Sequence, residues 1–171
     1  VDDPLPGKLS DSVRHAAKAH LAVHAREVGG QNKGPWVRTY MRGNEGRPWP
    51  WCAGFVSFIM HQAATEICEE SPLTYSFSSS QIAAEASSKG LLYPGEQVAD
   101  PRMGAPINDR TFCIFLVKGG GTGYQHIGFA YHFNGDTFET IEGNSNDDGS
   151  YEGYEICRRI RSLKGKDLIL I

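Results

Sequence analysis

The chain has 171 residues, 40% of them hydrophobic, which suffices for one domain with a proper core and is too short for two comfortable ones. Its formal charge of −3, with no long run of one sign, excludes the basic surface that non-specific nucleic-acid binding needs. No stretch approaches about 18 uninterrupted apolar residues. We therefore expect one domain over residues 1–171, with no nucleic-acid partner and no membrane span.

The first half of the chain is predicted to be helical. Residues 1–9 are proline-rich and are interpreted as an extended lead-in, after which Ser10 or Asp11 can cap a helix that runs to about Glu27. Three further helices are predicted: a short one over 35–42, an apolar core helix over 52–68, and a weaker one over 81–88.

The second half of the chain is predicted to form strands. Apolar or alternating runs indicate strands over 111–117, 126–133, 137–142, 154–161 and 168–171. Asn134-Gly135 is the strongest hairpin signal, so the strands on either side of it should be antiparallel. Helices followed by strands predict an α+β fold, with the N-terminal helices packed on an antiparallel sheet.

Cys52 is the first candidate for chemistry. It follows the turn-forming residues Trp49-Pro50-Trp51 and begins the apolar helix, so its thiol is predicted in the first helical turn. The N–H groups and the dipole of a helix start stabilise a thiolate, and the thiolate is the nucleophilic form of cysteine. A buried structural cysteine is the competing interpretation.

A base and its orienting groups follow in the order expected of a papain-like thiol hydrolase. His126 begins one predicted strand, and Glu142 and Asn144 close the next. A hairpin that pairs Phe133 with Thr137 or so brings His126 close to Glu142 and Asn144. The alternative is that Glu142 and Asn144 are ordinary residues of a strand end.

Three motifs carry a resemblance to a known family. Pro-Trp-Cys-Ala-Gly-Phe-Val at 50–56, His-Ile-Gly at 126–128 and Glu-Gly-Asn at 142–144 resemble the CHAP domain, the cysteine- and histidine-dependent amidohydrolase/peptidase family. That family belongs with the NlpC-type papain-like peptidases. The similarity covers about 27–161, the expected core of the domain.

The resemblance implies peptidoglycan hydrolysis, at a muramoyl-alanine amide or at a peptide bond of the stem or cross-bridge, without a cofactor. It makes Cys52 the nucleophile, His126 the base and Glu142 the group that orients the imidazole. Asn144 becomes a fourth member near the oxyanion or the histidine. Two other classes compete: a papain-like acyltransferase or thiol hydrolase on a non-wall substrate, and an inert domain that only binds the wall.

The sequence also departs from the family. The region 31–33 lacks the acidic calcium loop that some members carry, and Trp51 stands before the nucleophile in place of a polar residue. No oxyanion donor is therefore expected from the side chain of residue 51.

The biological setting is predicted from what the sequence lacks. No wall-binding repeat is visible and the composition is not basic, which favours an antibacterial effector or a module of a larger protein over a stand-alone lysin. Either would be secreted or delivered to the periplasm or cell wall, although residues 1–4 show no signal peptide. An effector would also come with a cognate immunity protein that covers the groove around Cys52.

Three tryptophans, Trp36, Trp49 and Trp51, cluster around the nucleophile loop. As a functional prediction they form a groove wall that stacks on the sugar or peptide of the substrate. Core packing is the alternative for each of them.

No metal site is predicted, although two patterns resemble one. His20, His24 and Glu27 could mimic a ligand set on one helix, but a solvated helix face explains them better. The run 144–149 with Glu155 nearly fits a calcium loop but lacks flanking helices. Of the four cysteines, Cys68, Cys113 and Cys157 are interpreted as small buried residues, with one disulfide among them left open.

Overall fold

Helices precede strands along the chain, and the fold is α+β as predicted. A computed structural model of the protein describes residues 8–100, 102, 107–145 and 153–171. The helices are α1 (Lys8–Ala22), α2 (Pro35–Tyr40), α3 (Cys52–Glu66), α4 (Ser79–Ser88) and α5 (Gly95–Ala99). The strands are β1 (Leu92–Pro94), β2 (Cys113–Lys118), β3 (Tyr124–Asn134), β4 (Thr137–Ser145), β5 (Glu155–Ser162) and β6 (Lys166–Ile169).

The six described strands form one antiparallel sheet in the order β1-β6-β2-β3-β4-β5. The Asn134-Gly135 hairpin is confirmed, with Gly135 in the left-handed region at φ 61°. Phe129 pairs with Ile141, the register that the hairpin argument predicts. Beyond this pair, toward the other end of β3 and β4, lie His126 and Glu142.

Helix α1 differs from its prediction at both ends. Residues 8 and 9 are helical instead of extended, and residues 1–7 of the predicted lead-in lie outside the described part. The helix ends at Ala22, and His24 takes a left-handed φ of 51°. The chain then runs beside β5, where the Ala25 carbonyl accepts from the Ile156 N–H at 2.9 Å. The predicted continuation is wrong because backbone partners on β5 replace helical ones.

The remaining predicted elements are present, with bounds that differ by at most three residues. Strand β1 and helix α5 have no counterpart in the prediction. They contain three and five residues, which is too short for hydrophobic periodicity to reveal them.

Helix α3 packs on the sheet and forms the centre of the main core. The Phe55 ring lies 5.8 Å from the Phe129 ring, edge to face. Gly143 of β4 permits this approach, since a Cβ there would lie 2.8 Å from the Cβ of Phe55. Gly54 similarly lets α3 approach the end of α2, where a Cβ would lie 2.7 Å from the Tyr40 carbonyl oxygen. These two glycines fix how the start of α3 sits between α2 and β4.

All four cysteines are free, which closes the question of a disulfide for this structure. Cys113 and Cys157 are buried as predicted, whereas Cys68 is exposed just after the end of α3. Cys68 has a left-handed φ of 57°, so it ends the helix instead of joining the core. None of the helices in the described ranges has the length and apolar character needed to cross a bilayer.

Candidate active site

Cys52 is the first residue of α3, as predicted, and Trp51 is the N-cap. Its side chain is nearly buried, with 7% exposure. The backbone N–H groups of Ala53 and Ile127 donate to the sulfur, one from the helix start and one from β3. The thiol therefore lies where the first turn of α3 meets β3.

His126 lies on β3 and connects the thiol to a carboxylate. The ring is buried, its Nε2 lies 2.8 Å from Oε2 of Glu142, and it also hydrogen-bonds to Cys52. Because Nε2 is taken by Glu142, Nδ1 is the ring nitrogen that remains for the sulfur. Cys52, His126 and Glu142 thus form one hydrogen-bonded row.

The row alters the acidity of its members. Burial acts to raise the pKa of the Cys52 thiol, but the hydrogen bond and charge of His126 outweigh it and hold that pKa below its ordinary value. Burial likewise opposes protonation of His126, yet its bonds to Cys52 and Glu142 raise the pKa of the imidazole to about 9. Both directions favour a thiolate–imidazolium pair.

Glu142 is fully buried and receives hydrogen bonds on both oxygens. Thr140 Oγ1 donates to Oε1 at 2.6 Å, and Ser145 Oγ donates to Oε2 at 3.2 Å. Arg161 of β5 binds both oxygens, with Nε at 2.6 Å from Oε1 and Nη2 at 2.7 Å from Oε2. Burial acts to raise the pKa of Glu142, but Arg161 and His126 hold it well below its usual range.

Asn144 lies on β4 two residues after Glu142. It is buried, with 1% exposure, and has a left-handed φ of 54° at the irregular register between β4 and β5. Its Oδ1 has no hydrogen-bond partner among the residues described. Asn144 is thus close in sequence to the row, and its role near the oxyanion or the histidine stays a prediction.

The three tryptophans occupy different environments. Trp51 is fully buried, its ring stacks on Tyr40 at 5.5 Å, and its Nε1 donates to Glu27 at 2.9 Å. The prediction that Trp51 lines a substrate groove is therefore wrong, because the ring packs inside the core. Trp36 is half-buried against Tyr40, and Trp49 is half-buried with its ring edge-to-face with Phe77 at 5.9 Å.

The metal-like patterns are accounted for by other contacts. His20 is buried instead of solvated, with Nδ1 2.8 Å from Tyr40 Oη and Nε2 3.1 Å from Gln62 Oε1. His24 pairs with Glu155. Over the described ranges, no three His, Cys, Asp or Glu side chains are grouped so as to hold a metal ion. The calcium-loop pattern extends into 146–152, outside the described residues.

Three residues around Glu142 were not predicted: Thr140, Ser145 and Arg161. Thr140 and Ser145 lie on the same strand as Glu142, whereas the contact of Arg161 depends on the register of β5 against β4, in which Phe138 pairs with Arg161. The connection between these strands contains the turn dipeptide Asp148-Gly149, but it covers 146–154, which is too long for one tight turn to set the register. The sequence signal that could have indicated Arg161 is its alternation with Arg159, which places both arginines on one face of the predicted strand.

Comparison of the chain with protein-family models, with curated proteins and with solved structures gave no match.

Proposed function

We propose that the protein is a papain-like thiol hydrolase of the CHAP type that cleaves amide bonds in bacterial peptidoglycan. The observation that carries this proposal is the buried row Cys52–His126–Glu142, in which the cysteine begins a helix. An activated thiol, a base in contact with it and a carboxylate that orients the base are what thiol-dependent acyl chemistry needs.

The reaction follows from the position of each group. The Cys52 thiolate attacks the carbonyl carbon, and we assign stabilisation of the developing oxyanion to backbone N–H groups at the start of α3. The amide C–N bond breaks as His126 donates its proton to the leaving amine, which leaves a thioester on Cys52. Water then attacks the thioester, His126 takes the water proton, and the C–S bond breaks, which releases the acid and restores the Cys52 thiolate and the His126 imidazolium.

The substrate class rests on the resemblance to the CHAP family and not on geometry. Trp49, three residues before the nucleophile, forms a half-buried aromatic pair with Phe77. It suits stacking against a sugar or a stem peptide. Action on peptidoglycan requires export or delivery to the cell wall, and an antibacterial effector would require an immunity protein to cover this surface in the producing cell.

Digestion of purified sacculi tests the proposal. Mass spectrometry should find new muropeptides with the wild-type protein and none with Cys52→Ala or His126→Ala, while circular dichroism shows that both variants remain folded. The masses identify the bond, whether the muramoyl-alanine amide, the stem peptide or the cross-bridge. Absence of products across stem-peptide types would overturn the proposal and favour another acyl substrate or a binding domain.

A further inference from the structure

Glu142 accepts more hydrogen bonds than a carboxylate that only orients His126 would need. Its oxygens accept from side chains on two strands besides His126, and Arg161 alone occupies both oxygens in a fork. An arginine fork fixes the plane of a carboxylate, whereas one ammonium fixes only a point. The oxygen that faces His126 is therefore set by Arg161 as well as by the imidazole.

The guanidinium is itself fixed by the sheet. It lies over the Phe115 ring, 5.4 Å from the ring centroid, and the His126 ring lies 6.1 Å from the same centroid. Gly128 leaves room for Phe115, because a Cβ there would lie 2.7 Å from the ring. Phe115 thus contacts both of the cationic side chains that bind Glu142.

We propose that Arg161 is a positioning residue for this site, which keeps Glu142 ionised and aimed at His126. The proposal rests on the proposed function, since it assigns Arg161 a part in the same chemistry. A merely structural arginine would stabilise the sheet without affecting the thiol. A positioning arginine controls the pH range over which the thiolate–imidazolium pair exists.

The charges around Glu142 determine the sign of the effect. His126 on β3 and Arg161 on β5 hydrogen-bond to Glu142, and Lys166 on β6 interacts with it electrostatically. Cys52 lies on the other side of the imidazole, and Cys157 is the cross-strand partner of Glu142. Without Arg161, burial of the carboxylate raises its pKa, so Glu142 takes up a proton at a higher pH. A protonated Glu142 no longer stabilises the imidazolium, and the thiol then regains its proton.

The test is the pH dependence of Cys52 alkylation by iodoacetamide, followed at the Cys52 peptide by mass spectrometry. Arg161→Met should move the acid limb of that profile to higher pH by at least about one unit. Arg161→Lys, which keeps the charge but loses the fork, should give a smaller shift in the same direction. Arg158→Met is the matched control, since Arg158 lies on the same strand in an exposed pair with Glu139 and should leave the profile unchanged.

A folded Arg161→Met protein whose profile superimposes on the wild type would overturn the proposal. If Arg161→Met does not fold, an unshifted profile for Arg161→Lys overturns it equally. Alkylation needs no peptidoglycan, so a wild type with an activated thiol and no wall products would contradict only the proposed substrate. A wild-type thiol that reacts only near its ordinary pKa would contradict the proposed chemistry itself.

Discussion

At the residue scale, the reactivity expected of Cys52 is a balance of opposing effects. Burial disfavours the thiolate, and the hydrogen bonds from His126, Ala53 and Ile127 favour it. The hydrogen bonds outweigh burial because Glu142 stabilises the imidazole as a cation. The thiol is therefore coupled to a carboxylate that it does not touch.

This coupling predicts different pH profiles for alkylation and turnover. Alkylation of Cys52 should already be fast at a pH well below the ordinary thiol pKa and should not fall on the alkaline side, since it needs only the thiolate. Turnover should fall as the pH rises through about 9, because His126 then lacks the proton for the leaving amine. Rates of both reactions between pH 4 and 10 check this, and a turnover that rises past pH 9 would contradict it.

The same raised pKa has a consequence for stability. The pKa of His126 lies above its ordinary value of 6.5, so its protonation contributes stability that is fully present below pH 6.5 and is lost as the pH rises through about 9. His126→Ala should lack this pH-dependent contribution to the free energy of unfolding. Urea midpoints of both proteins at pH 6 and pH 10 should therefore converge at the higher pH, and an unchanged difference would argue against the assignment.

Glu142→Gln should separate activity from stability. The glutamine amide cannot accept both hydrogen bonds from Arg161, so the guanidinium loses its charged partner. We expect a loss of about 3 kcal/mol in the free energy of unfolding. The loss of turnover should be roughly 10²-fold smaller than in Cys52→Ala, because the orientation of His126 is disturbed while the nucleophile remains. Urea unfolding and initial rates measure the two effects.

Glu139→Gln is the control for that variant. Glu139 lies on the same strand in an exposed ion pair with Arg158, and such pairs contribute less than about 1 kcal/mol. An equal loss of turnover in Glu142→Gln and Cys52→Ala would mean that Glu142 does more than orient the imidazole.

The sequence predicted the row better than its surroundings. Cys52, His126 and Glu142 follow from a helix start and one hairpin, and both are local signals. The contact of Arg161 was not predicted, because it depends on the register of β5 against β4, and the long connection 146–154 does not fix that register. Trp51 was wrongly placed at a groove because its burial depends on the stack with Tyr40, a contact set by how α2 packs on α3.

At the element scale, the close approach of α3 to β4 holds the thiol against the sheet. Gly143→Ala would place a Cβ 2.8 Å from the Cβ of Phe55, and neither backbone can yield without moving the helix. Overpacking of this kind costs about 1–3 kcal/mol. We expect a lower urea midpoint and slower alkylation of Cys52.

Gly120→Ala is the matched control for this substitution. A Cβ at Gly120 would meet nothing within 4 Å, so both the urea midpoint and the alkylation rate should stay at wild-type values. Wild-type behaviour of Gly143→Ala as well would show that the helix can shift without disturbing the site.

Helix α1 ends earlier than its sequence pattern predicts. Helical spacing continues past Ala22, but Ala25 pairs with β5, and tertiary backbone partners override weak helix propensity. A single sequence does not reveal such a partner, because the strand that supplies it lies about 130 residues later in the chain.

At the scale of the whole molecule, the sheet is covered on both faces. Helices α1 to α4 contribute to the main core on one face, and Val98 of α5 packs against a smaller cluster on the other. That cluster is formed by Cys113, Phe115, Ala130, Phe138, Leu163 and Leu168. Phe115 belongs to this smaller cluster and also contacts His126 and Arg161. The second cluster therefore supports the site from the side opposite α3. That residues 1–171 form one domain stays a prediction.

Thiol counting tests this arrangement across the molecule. With four free cysteines, the denatured protein should react with four equivalents of a thiol reagent without prior reduction. The native protein should label at Cys68, which is exposed, and at Cys52, which is activated. Cys113 should stay unlabelled, because burial raises the pKa of its thiol far above the ordinary range. Fewer than four equivalents after denaturation would indicate a disulfide.

The most direct test of the central claim is a titration of peptidoglycan turnover against modification of Cys52. Wild-type protein is alkylated to different extents, the modified fraction of each cysteine is read from its peptide by mass spectrometry, and residual release of muropeptides is measured on the same samples. We predict that turnover falls in proportion to the modified fraction of Cys52, reaches zero when modification is complete, and is independent of Cys68. Turnover that persists with Cys52 fully modified would contradict the account.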